Sequence, residues 1–284
     1  MNPQDESTRM LTADDYASNP RVPADHRLAY GPDPQQFADL YLPERTADQM
    51  TQSPVVVMIH GGCWRAAHGL EPMGLLCAAL RAEGFAVLSL EYRRVGTGGG
   101  WPTTFQDVAA GADLLRDIAS DFNLSLSGVV TMGHSAGGHL ALWLAGRHRL
   151  PKESLLYSPG PLPVHGVVAL ASIPDLVEGV KRDICKGGCR DLVGGPPEEM
   201  PDRYRLASPA ALLPLGVPHR HFVGARDHVV SAEYIGLFVT EAARLGDDAT
   251  LVELPGAGHF EVVLPTSFAW PLVRAAALEL VQGV

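Results

Sequence analysis

The run Gly128-Val-Val-Thr-Met132 is apolar and β-branched, and it passes through Gly133-His-Ser135-Ala-Gly137-Gly-His139 into Leu140, Trp143 and Leu144 at helical spacing. Few geometries join a buried strand to a helix through Gly-x-Ser-x-Gly. Small residues two before and two after the serine let strand and helix approach closely while the serine occupies a sharp, strained turn, the nucleophile-elbow pattern. Such a turn lifts the Ser135 hydroxyl above the sheet edge. It also sets it at a helix N-terminus, where free N–H groups and the macrodipole favour developing negative charge. A five-residue pattern can equally be an ordinary Gly-rich turn, so the remaining chain has to decide.

Around this turn the sequence alternates between strand-like and helix-like stretches. Residues 1–34 are rich in Asp, Pro, Ser and Asn and read as an arm that packs over the body or stays partly mobile. Residues 37–43 alternate as an early, edge-type strand closed by Pro43, and 46–54 is polar turn material. Val55-Val-Val-Met-Ile59 and residues 85–90 are continuous apolar runs, as expected of parallel strands covered on both faces. Between them Met73, Leu76, Cys77 and Leu80 mark one helical face ended by Gly84. Phe105, Val108, Ala112, Leu115 and Ala119 mark another, beyond the flexible Gly-rich loop 95–102. After the strand expected at 164–171, residues 173–207 break the rhythm and read as a cap-like insertion, holding short helical fragments at most and placed to roof the site. Strands at 219–223 and 249–254, with helices at 231–245 and 266–281, complete the pattern. The fold class is α/β, with a mostly parallel central sheet, helices on both faces and the whole of 1–284 in a single domain.

Composition bounds the function. With 284 residues and 46% apolar content the chain can bury a full core, and a formal charge of −10 argues against nucleic-acid phosphates as partners. No run of about 18 apolar residues offers a membrane span, and the N-terminus lacks the basic-then-apolar order of a signal peptide. A cytoplasmic protein is the expectation, with a homodimer left open. In that setting Cys63, Cys77, Cys185 and Cys189 are expected to be reduced. Cys185-Lys-Gly-Gly-Cys189 lacks the second ligand pair of a zinc site, and a loop disulfide suits it better. No metal or cofactor is called for.

A serine hydroxyl needs a base, and the base an acid that fixes its tautomer. Of eleven histidines, His259 lies just past the last strand in a Gly-flanked loop that can reach across the sheet edge. Asp227 follows the preceding strand and is preferred over Asp175, which opens the insertion and suits a turn role. Glu261 is too close in sequence to His259 to approach it from behind. The order Ser135, Asp227, His259 is the Ser…Asp…His order of the α/β-hydrolase fold. Two glycines after a buried strand, in His60-Gly61-Gly62-Cys63-Trp64, can aim backbone N–H groups at one point. Gly61, Gly62 and Cys63, with Ala136 directly after the serine, are therefore the expected oxyanion hole. His60, Trp64 and His134 are expected to support the loop or the pocket.

Taken together, His60-Gly61-Gly62-x-Trp64, Gly133-His-Ser135-Ala-Gly137-Gly-His-Leu-Ala141, Asp227 and His259 resemble the α/β-hydrolases over nearly the whole chain. Within them the chain is similar to the branch holding the hormone-sensitive-lipase-like esterases and the kynurenine formamidases. The HGG-x-W form and Tyr92-Arg-Arg94 lean to the formamidases, although Cys63 stands where those often place an aromatic residue. The resemblance implies a cofactor-independent serine hydrolase of a small ester or amide. N-formylkynurenine is its first substrate, with the short-chain carboxylesterase as the alternative.

Overall fold

In a computed structural model, residues 9–44 and 51–282 are described. The first eight residues of the arm, and residues 46–50 of the expected polar turn, lie outside them. In chain order the elements are α1 (Ala13–Ala17), β1 (His26–Ala29), β2 (Phe37–Tyr41), β3 (Ser53–Ile59), α2 (Gly74–Ala82), β4 (Ala86–Leu90), α3 (Thr103–Asp113) and α4 (Leu115–Ile118). They continue as β5 (Leu124–His134), α5 (Ala136–Gly146), β6 (Gly166–Leu170), α6 (Leu176–Lys181), α7 (Gly188–Val193), α8 (Pro201–Ala207), β7 (His219–Gly224), α9 (Ala232–Arg244), β8 (Ala249–Leu254) and α10 (Trp270–Gln282). The strands form one eight-stranded sheet in the order β1-β2-β4-β3-β5-β6-β7-β8. From β4 to β8 every pairing is parallel, while β1 with β2 and β2 with β4 are antiparallel.

The apolar runs behave as strands buried on both faces. Along β3, Val55, Val57 and Ile59 enter the core layer shared with α3, α5, α9 and the insertion, whereas Val56 and Met58 enter the layer beneath α2 and α10. Side chains alternate faces at period two, so one uninterrupted apolar run supplies both layers. α9 starts where Ser231 caps the Tyr234 N–H at 3.2 Å. α10 starts later than its apolar spacing suggests, because Ser267 bonds the Glu261 carbonyl and the Ala269 N–H and holds the preceding turn.

Three expectations need correction. The arm is not merely a cover: its residues 26–29 form the edge strand, so the strand at 37–41 lies one place inside the sheet. That edge strand escapes a pattern search because it is four residues long and largely exposed. The insertion between β6 and β7 carries the expected short helices, α6 to α8, packed on one another, but none of its described residues lines the cavity at Ser135, so it does not roof the site. Finally, Cys185 is bonded not to Cys189 but to Cys63, 122 residues away, with a Cα–Cα distance of 5.6 Å. Cys77 and Cys189 are the free thiols, both buried.

Several core histidines are held neutral. Burial pushes His139 down to about 4 and drives His219 and His221 below the ordinary imidazole value. Such a ring binds a proton only on unfolding, so its contribution to stability is complete above the unfolded value near pH 6.5 and is lost as pH falls toward the folded value. The thermal midpoint should therefore fall steadily from pH 6.5 to pH 4, with a loss on the order of a few kcal/mol. Differential scanning fluorimetry across that window checks it, and a flat profile would contradict it.

Candidate active site

Ser135 occupies the turn between β5 and α5 with φ 54° and ψ −118°, a backbone strained for any residue but glycine. Two glycines make the turn possible. A Cβ on Gly133 would collide with the Gly137 carbonyl, and one on Gly137 with the Ile59 and His60 carbonyls. The Ser135 N–H extends the ladder by bonding the Leu170 carbonyl at 2.8 Å, and the Ser135 carbonyl accepts the first helical bond, from His139 N–H at 3.1 Å. Ala136 is the first residue of α5, where an N–H has no partner within its helix.

Two further loops meet behind this turn. The loop after β7 brings Asp227 and the loop after β8 brings His259, whose Nδ1–H donates to Asp227 Oδ2 at 2.6 Å. Asp227 is itself fixed, its Oδ1 accepting the Val229 and Val230 N–H groups at 2.7 and 2.9 Å. Burial alone would raise the Asp227 carboxyl, but His259 and these two N–H groups hold it below the usual carboxylate value. Asp175 has a different task, capping α6 by accepting from the Val177 and Glu178 N–H groups. Ser135 and His259 line the same cavity. Among the described residues no hydrogen bond joins their side chains, a contact that commonly tightens only when substrate is bound.

The loop after β3 closes the opposite side. Gly61 lies against Ser135: a Cβ there would stand 2.7 Å from the His134 carbonyl and 3.3 Å from the Ser135 Cβ. Gly62, Cys63 and Trp64 follow with φ of 113°, 53° and 55°. His60 braces this loop, with Nδ1 donating to the Gly61 carbonyl at 2.7 Å, Nε2 facing Glu91 at 3.0 Å and its ring stacked on Tyr92. Burial works against the Glu91 charge, yet His60, Arg94 and the Tyr92 N–H keep its carboxyl below the ordinary value. Trp64 is fully buried edge-on to His139 and does not line the cavity. His134 Nε2–H donates to the His259 carbonyl at 2.9 Å, and burial followed by the nearby His259 pushes the His134 ring down to about 3, so it stays neutral.

The cavity, about 430 Å³, takes its remaining wall from the N-terminal arm, through Tyr16, Asn19 and Arg21 among others. Tyr16 stacks on Phe260 with centroids 5.4 Å apart. Glu261 ties arm to site, one carboxylate oxygen accepting the Leu11 N–H at 2.6 Å and the other the Gly258 N–H at 2.8 Å. Sequence reasoning missed Glu91, Glu261 and the arm residues. Apart from Arg94, three residues beyond Glu91, their partners are backbone groups or lie far off in the chain.

This arrangement puts a serine at a helix N-terminus, a carboxylate-oriented histidine and a glycine turn around one cavity, the parts needed for acyl transfer. Residues 38–239 match the family described as BD-FAE. The chain belongs to the BD-FAE family. Esterase LipC of Mycobacterium tuberculosis is 28% identical to this BD-FAE chain over 270 residues, which are 90% of the chain and 64% of LipC, so the chain spans less than two thirds of that relative. A truncated carbohydrate esterase from gut microbiota superposes with a TM-score of 0.78 at 23% identity, covering 93% of this chain and 98% of the other. A propionate-bound thermophilic esterase of Thermogutta terrifontis gives 0.71 at 21% identity, covering 93% and 96%. These likenesses carry the fold, which is that of the α/β-hydrolases.

If Glu261 fastens the arm, Glu261→Gln, which keeps only one acceptor oxygen, should lose about 1–3 kcal/mol of stability for one orphaned buried N–H. Trypsin should then cut faster at Arg21, an exposed residue of the arm. Urea unfolding and timed proteolysis read both effects, and an unchanged cleavage rate would exclude the tie.

Proposed function

We propose that the protein is a serine carboxylesterase acting on small, short-acyl esters. In this reading Ser135 Oγ attacks the ester carbonyl carbon while His259 takes the hydroxyl proton, and Asp227 holds the imidazole in the required tautomer. The alkoxide formed on the carbonyl oxygen lies between the Ala136 N–H and the N–H groups of Gly61, Gly62 or Cys63. His259 returns the proton to the departing alcohol, leaving an acyl group on Ser135. Water, deprotonated by the same histidine, then releases the acid. The carrying observation is the 2.6 Å Asp227–His259 bond beside a cavity that Ser135, His259 and Gly61 share.

The ester reading leads because the relatives above are named esterases, one of them bound to propionate. N-formylkynurenine is the second reading. Asp14, Arg21 and Glu71 line the cavity and could meet the opposite charges of an amino acid. The cytoplasmic expectation sits badly with the Cys63–Cys185 bond, since reducing compartments open such links.

A fluorophosphonate should label Ser135 in the folded protein, and Ser135→Ala should abolish labelling, with intact mass spectrometry as the readout. Asp227→Asn should lower kcat by about 10⁴-fold while leaving the fold intact, because it fixes the wrong tautomer. On substrates, kcat/KM should be higher for p-nitrophenyl acetate than for N-formylkynurenine; the reverse order would move the assignment to the formamidase.

A further inference from the structure

The 62–64 segment is left-handed at three consecutive residues, two of which carry side chains. Such positions are costly for L-residues and persist only where their surroundings over-determine them. Trp64 is held by full burial and by its carbonyl accepting the Val95 N–H at 2.9 Å. The Gly62 carbonyl accepts the Arg65 N–H at 3.0 Å. Cys63 is held covalently, by Cys185. The partner segment is strained in the same sense, with φ of 51° at Asp183, 63° at Cys185, 47° at Lys186 and 82° at Gly187. Arg65 grips that segment a second time, its guanidinium donating to the Cys185 and Lys186 carbonyls at 3.0 and 2.7 Å.

We propose that the Cys63–Cys185 disulfide is a positioning element of the oxyanion hole, fixing residues 62–64 so that the Gly62 and Cys63 N–H groups face the oxyanion, and that its two-electron reduction lowers turnover. The inference rests on the serine-hydrolase reading above. Without the bond, the insertion is joined to this loop by the Arg65 contacts, and the left-handed run at 62–64 loses its one covalent restraint. Cys63 lines the cavity, so a small dithiol can reach it from the substrate side. One thiolate of the dithiol attacks a sulfur of the pair to give a mixed disulfide, and the second thiol displaces the enzyme. Cys63 and Cys185 end as thiols with two added electrons and two protons, and the reductant ends as a cyclic disulfide. Cys77 and Cys189 do not complicate the exchange: burial pushes both thiols up to about 12.

The test compares the full chain oxidised, reduced with dithiothreitol and reoxidised, with Cys185→Ala and Cys189→Ala alongside. Thiol titration in denaturant should count two free thiols before reduction, those of Cys77 and Cys189. Reduction should lower kcat on p-nitrophenyl acetate about tenfold, short of the ~10²–10³ that outright loss of one donor costs, with KM little changed. Fluorophosphonate labelling of Ser135 should slow in parallel, reoxidation should restore both, and circular dichroism should report a retained fold. Cys185→Ala should reproduce the reduced rate and ignore dithiothreitol, while Cys189→Ala should follow the wild type. An active, labelled enzyme indifferent to reduction overturns this inference alone, as does a purified protein with no disulfide and full activity. An oxidised enzyme that neither labels nor turns over defeats the hydrolase reading and this inference with it.

Discussion

The absence of a side chain at Gly137 is the constraint on which the catalytic end depends. There the first turn of α5 lies directly on the carbonyls of Ile59, the last residue of β3, and of His60 just beyond it, and no Cβ fits between them. This contact sets three things at once. It forces Ser135 into its strained turn, it aims the N-terminus of α5 along the sheet edge, and it brings the glycines after β3 beside the serine. Gly61 repeats the principle one layer up, touching the backbone and Cβ of the serine turn. The parallel register of β3 with β5, in which Ile59 pairs with Gly133, places both loops at the same height. The N-terminus of α5 and the glycines after β3 are therefore brought side by side by geometry already fixed in the core.

Around that contact the polar groups form a brace. Glu91 sits at the end of β4 and collects His60, Arg94, the Leu70 N–H and the Tyr92 N–H in a largely buried cluster. Tyr92 returns a bond to the His60 carbonyl at 2.9 Å, and Arg94 also reaches the His68 carbonyl. A buried carboxylate is tolerable only when so fully paired. The result is that residues 60–70, which carry the left-handed segment, are tied to two neighbouring strands. On the other side, Asp227 and Glu261 play the same part for the histidine loop, each carboxylate accepting two bonds or more from backbone or imidazole.

Much of this was legible in the sequence, for a physical reason. Buried parallel strands need unbroken apolar runs, and the loops at their ends need glycine where backbones touch. Val55–Ile59, Gly61, Gly133 and Gly137 thus announce both the layer and the turn. Asp227 and His259 could be placed because chain order and strand order coincide from β5 to β8. What stayed hidden was set by contacts between distant segments. The disulfide joins residues 122 apart, and the Glu261–Leu11 bond spans 250 residues. Neither spacing leaves a trace, and the short Cys185-Lys-Gly-Gly-Cys189 spacing directed attention to the nearer cysteine. The edge strand was missed because four mostly exposed residues carry no apolar period.

The corrections share a direction. Each shows a segment that reads as peripheral to be fastened to the catalytic end: the arm through Glu261 and Tyr16, the insertion through Cys185 and the Arg65 contacts. Core strands fix where Ser135, Asp227 and His259 stand, whereas the arm supplies part of the cavity wall and the insertion, buried through Leu176, Leu192 and Val193, supplies none of the described lining residues. The arm contributes α1, whose Tyr16 stacks on Phe260 and bonds the Met73 sulfur, and it packs Leu11 and Val22 against the layer beneath α2 and α10 while Glu261 accepts the Leu11 N–H. A family sharing the same core can therefore change the shape of its cavity by altering attachments that lie outside every catalytic motif, while the Gly137 contact and the turn it imposes remain as they are.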